Sequence, residues 1–243
     1  MAAPFLRAEW RHVAILNYGV DRAALAGLVP SGTELDEWKG RAYLSVVGFL
    51  FRNTRVLGLP IPFHRNFEEV NLRFYVRRRT ADGWRRAVVF VKEIVPRAAV
   101  AVVARALYNE NYVALPMGHE IGRAAHQPER IESVSYSWRF AGRPHCLSLS
   151  VGDDPRRLVA GSEEEFITEH YWGYTSQRDG GTREYRVDHP PWRVAPASRA
   201  GLDGDVGPLY GDRFVEFLRA PPAWAFMAEG SEVAVYRGAR LAG

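Results

Sequence analysis

The segment that most constrains the fold is a pair of long strand patterns joined by a short turn. Apolar and polar side chains alternate along FEEVNLRFYVRRR, residues 67–79. One face carries Val70, Leu72, Phe74 and Val76, and the other carries Glu69, Asn71, Arg73, Tyr75 and Arg77. The turn TADG and the returning segment WRRAVVFVKEIV follow, and this pattern predicts a β-hairpin. The return strand is apolar on both faces around residues 88–91, which predicts a central place in a sheet.

Other segments also predict β-structure. AYLSVVGFLF, Ala42 to Phe51, is typical of a strand that is buried on both faces. ERIESVSYSWRF and PHCLSLSVG predict a second hairpin around AGRP, and TREYRVDHPPWRV predicts a strand that ends at Pro190. We expect short strands near Phe214 and Val233, and loops at RNTRVLGLPIPFHRN and GLDGDVGPLYGD.

Three short helices are predicted from their start signals. Asp21 is in place to cap a helix over DRAALAGLVP, which the final proline would stop. Pro96 suits the first turn of a helix that continues through RAAVAVVARALY. Ser162 and Glu165 have capping-box spacing, which predicts a helix from about residue 163 to residue 171.

The composition fits a single globular domain. Of 243 residues, 47% are hydrophobic and 25% are charged, which are ordinary proportions for a globular protein. No repeat or linker divides the chain, so we expect one domain over residues 1–243. No apolar run reaches the length of a transmembrane helix, and the N-terminal segment lacks the pattern of a signal peptide. We therefore expect a cytoplasmic protein with no membrane partner.

The positive charge does not by itself indicate a nucleic-acid partner. The net charge is +4, and the densest basic cluster is RRRTADGWRR at the tip of the predicted hairpin. Charge runs of this kind are mostly solvated faces. No recognised nucleic-acid-binding motif accompanies the cluster, so no such partner is expected.

The sequence lacks the common signatures of cofactor, metal and nucleophile sites. It contains no GxxxxGK[ST], GxGxxG, HExxH or GxSxG motif, and no two histidines have metal-ligand spacing. We therefore expect no cofactor and no bound metal. The single cysteine, Cys146, lies in a strand pattern and is interpreted as a structural thiol rather than a nucleophile.

Four local clusters are candidates for a site, because element ends and loops often carry function. They are Glu69 with Arg73, Arg105 with Tyr112, Glu169-His170-Tyr171, and His189 beside Trp192. Each cluster also has a structural interpretation. Arg105, for example, lies near the C-terminal end of the predicted helix, where a cation interacts favourably with the helix dipole.

The order of these segments resembles a known bacterial family. VPSGTELDEWKGRAYLSVVGF, FEEVNLRFYV, VARALYNENY, EHYWGYT and VDHPPWRV together are similar to the YqjF-like family of unknown function. That family resembles a branch of the acetoacetate decarboxylase-like superfamily. The resemblance implies a β-rich α+β fold, in which a bent antiparallel sheet closes into a barrel or cone around an inner pocket, with peripheral helices.

The resemblance also implies which functional residues are present. The decarboxylase forms a Schiff base between a lysine and a β-keto acid. Its glutamate matches Glu69 and its arginine matches Arg105, but its lysine pair falls at about Tyr112 and Val113, which cannot form an imine. The chain has only two lysines, Lys39 in a segment that is typical of an exposed turn and Lys92 at a strand end. Lys92 has two interpretations. Its charged end reaches the surface, or it is desolvated and therefore reactive.

Three hypotheses for function follow. The first is a protein that binds an anionic or carbonyl-bearing small molecule without covalent chemistry, held by charge-assisted hydrogen bonds from Glu69, Arg73, Arg105 and Tyr112. Arg73, His170 and Tyr171 are the residues that we expect to bind the ligand. The second is an enzyme that uses acid–base chemistry on a small keto acid or related carbonyl compound, with Glu69, Arg105 and Tyr112 as its catalytic residues. Glu69 is the base, Arg105 stabilises an enolate or carboxylate, and Tyr112 or alternatively His170 donates the proton. A nucleic-acid-binding module is the third and least favoured. Assembly into a homo-oligomer is left open.

Overall fold

The protein is built around a β-sheet that closes on itself, and short helices lie at its edges. A computed structural model describes residues 3–101, 109 and 111–241. Its strands are β1 (Leu6–Val20), β2 (Glu34–Leu35), β3 (Ala42–Val56), β4 (Leu59–Pro60), β5 (Phe67–Thr80), β6 (Gly83–Val95), β7 (Tyr112–Ala114), β8 (Met117–Ala124), β9 (Gln127–Phe140), β10 (Arg143–Val151), β11 (Arg156–Arg157), β12 (Trp172–Ser176), β13 (Thr182–Asp188), β14 (Arg193–Asp203), β15 (Trp224–Val235) and β16 (Ala239–Arg240).

Five helices contain described residues. They are α1 (Arg22–Leu25), α2 (described over residues 98–101), α3 (Glu163–Thr168), α4 (Gly207–Tyr210) and α5 (Val215–Arg219), with a 3-10 turn at Asp212–Phe214. None of the helices in the described ranges is long and apolar enough to cross a membrane.

Seven strands form the barrel. Their order is β13, β12, β6, β5, β3, β1 and β15, and the pairing of β13 with β15 closes the ring. Neighbouring strands are antiparallel except β6 and β12, which are parallel. From β15 the sheet continues through β14, β10, β9 and β8 into a second layer. The expected β-rich fold, a bent, mainly antiparallel sheet that closes into a barrel with peripheral helices, is confirmed.

The predicted hairpin is the centre of this barrel. β5 and β6 pair in register from Thr80 opposite Gly83 to Arg73 opposite Phe90. β6 also pairs with β12 and β7, so its predicted central place is confirmed. The ten residues from Ala42 to Phe51 in β3 are all buried, as the sequence predicted.

Alternation along the strands separates two apolar cores. On β5, Val70, Leu72 and Phe74 share a buried cluster with Tyr136 and Trp138 of β9, between the barrel and the second layer. The alternate side chains of β3 and β5 belong to a second cluster inside the barrel. That inner cluster includes Val47, Phe49, Phe51, Phe67 and Tyr75.

Two helix boundaries differ from the prediction. Asp21 stands at the N-cap of α1, but its side chain makes no capping hydrogen bond, and the helix ends at Leu25. The Ser162 cap is confirmed, because its hydroxyl accepts a hydrogen bond from the Glu165 backbone N–H at 3.1 Å. α3 nevertheless ends at Thr168 rather than at residue 171. α2 begins at residue 98, after Pro96, and the predicted remainder of this helix lies outside the described residues.

Two predicted loops contain regular structure, and one predicted strand is absent. β3 continues to Val56 and pairs with β4, while Gly201 lies within β14. Phe214 belongs to the turn that leads into α5, so the strand predicted there is wrong. Phe214 and Leu218 are both buried, and their spacing of four residues is helical rather than β-like. Val233 lies in β15, so that strand is confirmed.

Candidate functional site

A cavity of about 330 Å³ lies inside the barrel. Small-molecule pockets commonly have volumes of ~300–1,000 Å³. Much of its wall is aromatic and comes from Trp10, Phe49, Phe51, Phe67 and Trp192. Polar side chains also line it, including Glu69, Asn71, Arg73, Glu93, Tyr112 and His170.

Glu69 and Tyr112, two of the predicted catalytic residues, are in direct contact. Glu69 is on the inner face of β5 and is only 3% exposed. The Tyr112 hydroxyl, from β7, donates to Glu69 Oε2 at 3.2 Å. The Asn71 amide donates to Glu69 Oε1 at 3.0 Å. The strand order β5–β6–β7 therefore joins residues far apart in sequence around one carboxyl group.

Burial changes the proton affinity of this pair. It raises the pKa of Glu69 from 4.5 to about 7, although hydrogen bonds from Asn71 and Tyr112 and the charge of Arg73 oppose the rise. Burial also raises the pKa of Tyr112 well above 10, and the carboxylates of Glu69 and Glu93 add to the effect. At neutral pH the phenol keeps its proton, whereas the Glu69 carboxyl holds a proton far more readily than an exposed glutamate does.

Glu93 is a cavity residue that the sequence interpretation missed. Continuing the hairpin register from Thr80–Gly83 would place Lys92 opposite Asn71, on the cavity side. A β-bulge between Leu72 and Arg73 shifts the pairing by one residue, so Glu93 lies opposite Asn71 instead. A one-residue shift reverses which side chains face inward, and the bulge therefore puts a carboxyl group in the cavity wall rather than a lysine.

Both lysines lie away from the cavity wall. Lys92 Nζ donates to Asn111 Oδ1 at 3.0 Å in an exposed contact, and Lys39 is exposed beside the Trp38 ring. Neither Lys39 nor Lys92 lines the cavity. This placement agrees with the interpretation of Lys92 as a residue whose charged end reaches the surface.

Arg73 brings a cation into the cavity wall. Its Nε donates to the Tyr75 hydroxyl at 3.3 Å and its Nη2 donates to the Ile167 carbonyl at 3.5 Å. Within the described part of the chain, no carboxylate lies within ion-pair distance of this guanidinium. Tyr75 is held in turn by Ser45, whose Oγ lies 2.6 Å from the phenol oxygen. Arg73 therefore retains donors for an anionic group.

His170 is fixed at the side of the cavity by a hydrogen bond to Asp36, which in turn forms an ion pair with Arg86. Its Nε2 lies 3.3 Å from Asp36 Oδ2, and Arg86 Nε donates to the same oxygen at 2.6 Å. Burial lowers the pKa of His170 to about 4, so the imidazole is neutral at neutral pH. Burial opposes ionisation of Asp36, but hydrogen bonds from His170 and Arg86 leave its pKa below the ordinary value. A neutral His170 therefore donates to Asp36 through Nε2.

The remaining predicted residues are less closely tied to the cavity. Tyr171 donates its hydroxyl to Glu169 and is not part of the lining. His189 and Trp192 do line the cavity, with ring centroids 4.4 Å apart. Arg105 lies outside the described residues, so its role stays a prediction. Cys146 lies in β10, where burial raises the pKa of its thiol and favours the unreactive form.

Outside the cavity, the arginines at the hairpin tip pair largely with the chain's own carboxylates. Arg77 pairs with Glu34 at 2.7 Å, Arg85 pairs with Glu184 at 2.6 Å, and Arg86 pairs with Asp36 at 2.6 Å. These pairs favour the interpretation of the cluster as a solvated face. Across the described ranges, no group of three or more His, Cys, Asp or Glu side chains is placed to hold a metal ion.

The barrel with its outer layer places the chain in the acetoacetate decarboxylase-like fold class. The acetoacetate decarboxylase from Legionella pneumophila has a TM-score of 0.67 and 11% identity, over 99% of this chain and 88% of that one. The enduracididine biosynthesis enzyme MppR has a TM-score of 0.67 and 14% identity, over 99% and 90% of the two chains. An acetoacetate decarboxylase-like enzyme from Sphingomonas wittichii RW1 has a TM-score of 0.66 and 13% identity, over 99% and 94%. At these identities the likeness concerns the fold alone.

Sequence comparison gives the family. The model of the DUF2071 family, described as an uncharacterized conserved protein, matches residues 7–232, so the chain belongs to this family. The uncharacterized protein YqjF of Bacillus subtilis (strain 168) is 29% identical over 195 residues, which cover 79% of this chain and 76% of that protein. The resemblance to the YqjF-like family is confirmed.

Proposed function

We propose that the protein binds a small carboxylate-bearing carbonyl compound inside the barrel, without forming a covalent bond to a lysine. The observation that carries this proposal is Arg73, a guanidinium in the cavity wall with no carboxylate at ion-pair distance among the described residues. A cation in a partly buried site is stabilised by an anionic ligand, and a guanidinium matches the geometry of a carboxylate.

The other polar side chains suit the rest of such a ligand. When Glu69 is protonated, its hydroxyl is able to donate to the Tyr112 oxygen, and the Tyr112 hydroxyl then donates to a carbonyl oxygen of the ligand. In the described part of the protein, the buried Asn71 Oδ1 has no hydrogen-bond partner, which leaves an acceptor for a hydroxyl or an enol. One ligand with a carboxylate and a carbonyl group could engage both sets.

The proposal that no Schiff base forms is supported by the positions of the two lysines. A Schiff base needs an amine at the bound carbonyl, but Lys39 and Lys92 lie outside the cavity lining. The similar fold of MppR, which has been solved in complex with pyruvate, supports the class of ligand but not its mode of attachment.

Calorimetric titration with pyruvate tests the anion site. We expect Arg73→Gln to weaken binding roughly 10- to 100-fold, because hydrogen bonds to charged groups contribute ~1.5–3 kcal/mol. Arg79→Gln is the matched control, since it removes the same charge from an exposed position of the same strand. Equal effects of both variants, or no effect of either, would rule out the assignment of Arg73.

Borohydride reduction in the presence of pyruvate tests the non-covalent part of the proposal. We expect the intact mass to stay unchanged, with Lys92→Met as a control that removes the lysine in the barrel sheet. A stoichiometric adduct that maps to Lys92 in the wild-type protein and disappears in the variant would overturn this part.

A second candidate function is acid–base catalysis, and the shifted pKa of Glu69 favours it. A group whose pKa lies near the working pH is suited to accept and return a proton. Glu69 would take a proton from the carbon next to the carbonyl, and the Tyr112 hydroxyl would donate a hydrogen bond to the enolate oxygen.

Exchange of the methyl protons of pyruvate for deuterium, followed by NMR, tests this candidate. We expect the protein to accelerate the exchange and Glu69→Gln to slow it by ~100-fold or more, since a general base contributes ~10²–10⁴ to a rate. Glu68→Gln, on the neighbouring position of β5 beside His119, is the control. An unchanged exchange rate in Glu69→Gln would remove Glu69 from the catalytic role.

A further inference from the structure

The cavity has a polar region and an aromatic region that follow one another along β5. The inner face of β5 presents, in order, Phe67, Glu69, Asn71, Arg73 and Tyr75. At ~3.3 Å per residue, Phe67 and Arg73 are about 20 Å apart along the strand. A short keto acid held at Arg73 would therefore leave the Phe67 end unfilled.

The Phe67 end is a continuous aromatic wall. The rings of Phe51 and Phe67 stack with centroids 4.6 Å apart. The ring centroid of Trp10 lies 6.0 Å from that of Phe51 on the neighbouring strand β3, and 6.1 Å from that of Trp192, which directly precedes β14. All four of these side chains line the cavity. A wall of this kind binds apolar surface, because transfer of that surface out of water is favourable.

The loop around β4 continues this apolar surface to the outside. Four large apolar side chains in it are exposed: Leu57 at 59%, Leu59 at 68%, Ile61 at 38% and Phe63 at 89%. Ile61 also lines the cavity, together with His64 from the same loop. Exposed apolar residues grouped at a cavity rim are typical of a binding site rather than of an ordinary surface.

We propose that the ligand is a monocarboxylate with an extended apolar tail, whose carboxylate lies at Arg73 and whose tail follows the aromatic wall towards Ile61. This inference rests on the proposed function, since Arg73 supplies the anion site. It adds the class of ligand: alkyl or aryl 2-oxo acids and related acids, rather than two- or three-carbon acids. Among the described lining residues Arg73 is the one arginine or lysine, and the aromatic wall described here carries neither, so this part of the cavity fits one carboxylate rather than a dicarboxylate.

A chain-length series tests the tail. Calorimetry would compare straight-chain 2-oxo acids from pyruvate to 2-oxodecanoate, with the matching methyl ketones as neutral counterparts. We expect the acids to bind about fourfold more tightly for each added methylene until the cavity is full. A factor of about four is the value for burial of one methylene group. Affinity that does not change with chain length would overturn the inference.

The series also separates this inference from the proposed function. If pyruvate binds and longer acids bind no better, the anion site stands and the tail site fails. If each ketone binds as tightly as the acid of the same length and both bind more tightly as the chain grows, the tail site stands and the anion site fails. If no member of the series binds, both fail.

Two matched variants locate the tail. Ile61→Asp places a charge at the cavity rim, whereas Leu59→Asp places it on the same loop outside the lining. Both positions are exposed, so neither change is expected to unfold the protein. We expect Ile61→Asp to weaken 2-oxodecanoate at least tenfold without affecting pyruvate, and Leu59→Asp to affect neither. Equal effects of the two variants on 2-oxodecanoate would overturn this placement of the tail.

Discussion

The chemistry of the cavity depends on where single side chains are buried. Glu69 is one of several glutamates on the strands, but it is 3% exposed and has no ion-pair partner in the described ranges. A buried carboxyl without a cation in contact prefers its neutral form. Its alternation with Val70 predicted which face it would occupy, but the degree of burial followed from the closure of the barrel.

The raised pKa of Glu69 predicts a specific pH dependence of stability. A folded-state pKa of about 7 against 4.5 in the unfolded chain means that the folded protein binds the proton more tightly. The resulting stabilisation is present below about pH 4.5 and is lost as the pH rises through about 7. It amounts to on the order of 3 kcal/mol, and Glu69→Gln, which stays neutral, should not lose it.

Urea denaturation of both proteins between pH 5 and pH 8 measures this effect. We expect the difference in free energy of unfolding to move in favour of Glu69→Gln as the pH rises. Glu132→Gln, at an exposed position of β9, controls for the loss of one negative charge. If the free energies of unfolding of wild type and Glu69→Gln change equally with pH, and that of Glu132→Gln does the same, Glu69 does not titrate in this range.

At the scale of elements, prediction succeeded where the signal was local. The β5–β6 hairpin was predicted because strand alternation and a glycine turn are encoded within thirty neighbouring residues. The cap on α3 was predicted for the same reason, since Ser162 and Glu165 are three residues apart. Phe214 was misassigned because a short apolar segment fits a strand and a helical turn equally well.

The β-bulge in β6 is the element whose effect on the site is largest. It determines that Glu93 rather than Lys92 faces the cavity, and no residue in the segment VVFVKEIV signals it. β6 pairs with β5 on one side and with β12 and β7 on the other, so its register depends on all of these neighbours. Whether a lysine or a carboxyl group faces the cavity thus depends on the pairing of β6 with strands far away in the sequence.

At the scale of the whole molecule, the barrel and its outer layer fit closely at one glycine. A Cβ atom at Gly48 in β3 would lie 2.5 Å from the ring of Tyr136 in β9. The Tyr136 ring is fully buried, and its hydroxyl donates to the His12 carbonyl at 2.7 Å. The ring therefore cannot move aside without loss of this hydrogen bond.

This contact predicts that Gly48→Ala is destabilising, although alanine usually suits a strand better than glycine. We expect a loss of ~1–3 kcal/mol in the free energy of unfolding, as for other overpacked sites. The control is Gly201→Ala in β14, where nothing lies within 4 Å of the added carbon. Thermal and urea denaturation of both variants would check this. If Gly48→Ala and Gly201→Ala are equally stable, the two layers are not closely packed at Gly48.

The sequence by itself determined the β-rich class, the central hairpin, and the inward face that carries Glu69, Asn71 and Arg73, because the two-residue period of a strand is a local property. It also determined that lysine chemistry had only two candidate residues. The tertiary structure decided which side chains meet: Tyr112 with Glu69, and Asp36 with His170. It also decided that Glu93 faces the cavity. These outcomes depend on strand order, register and barrel closure, which arise from contacts between residues far apart in the chain.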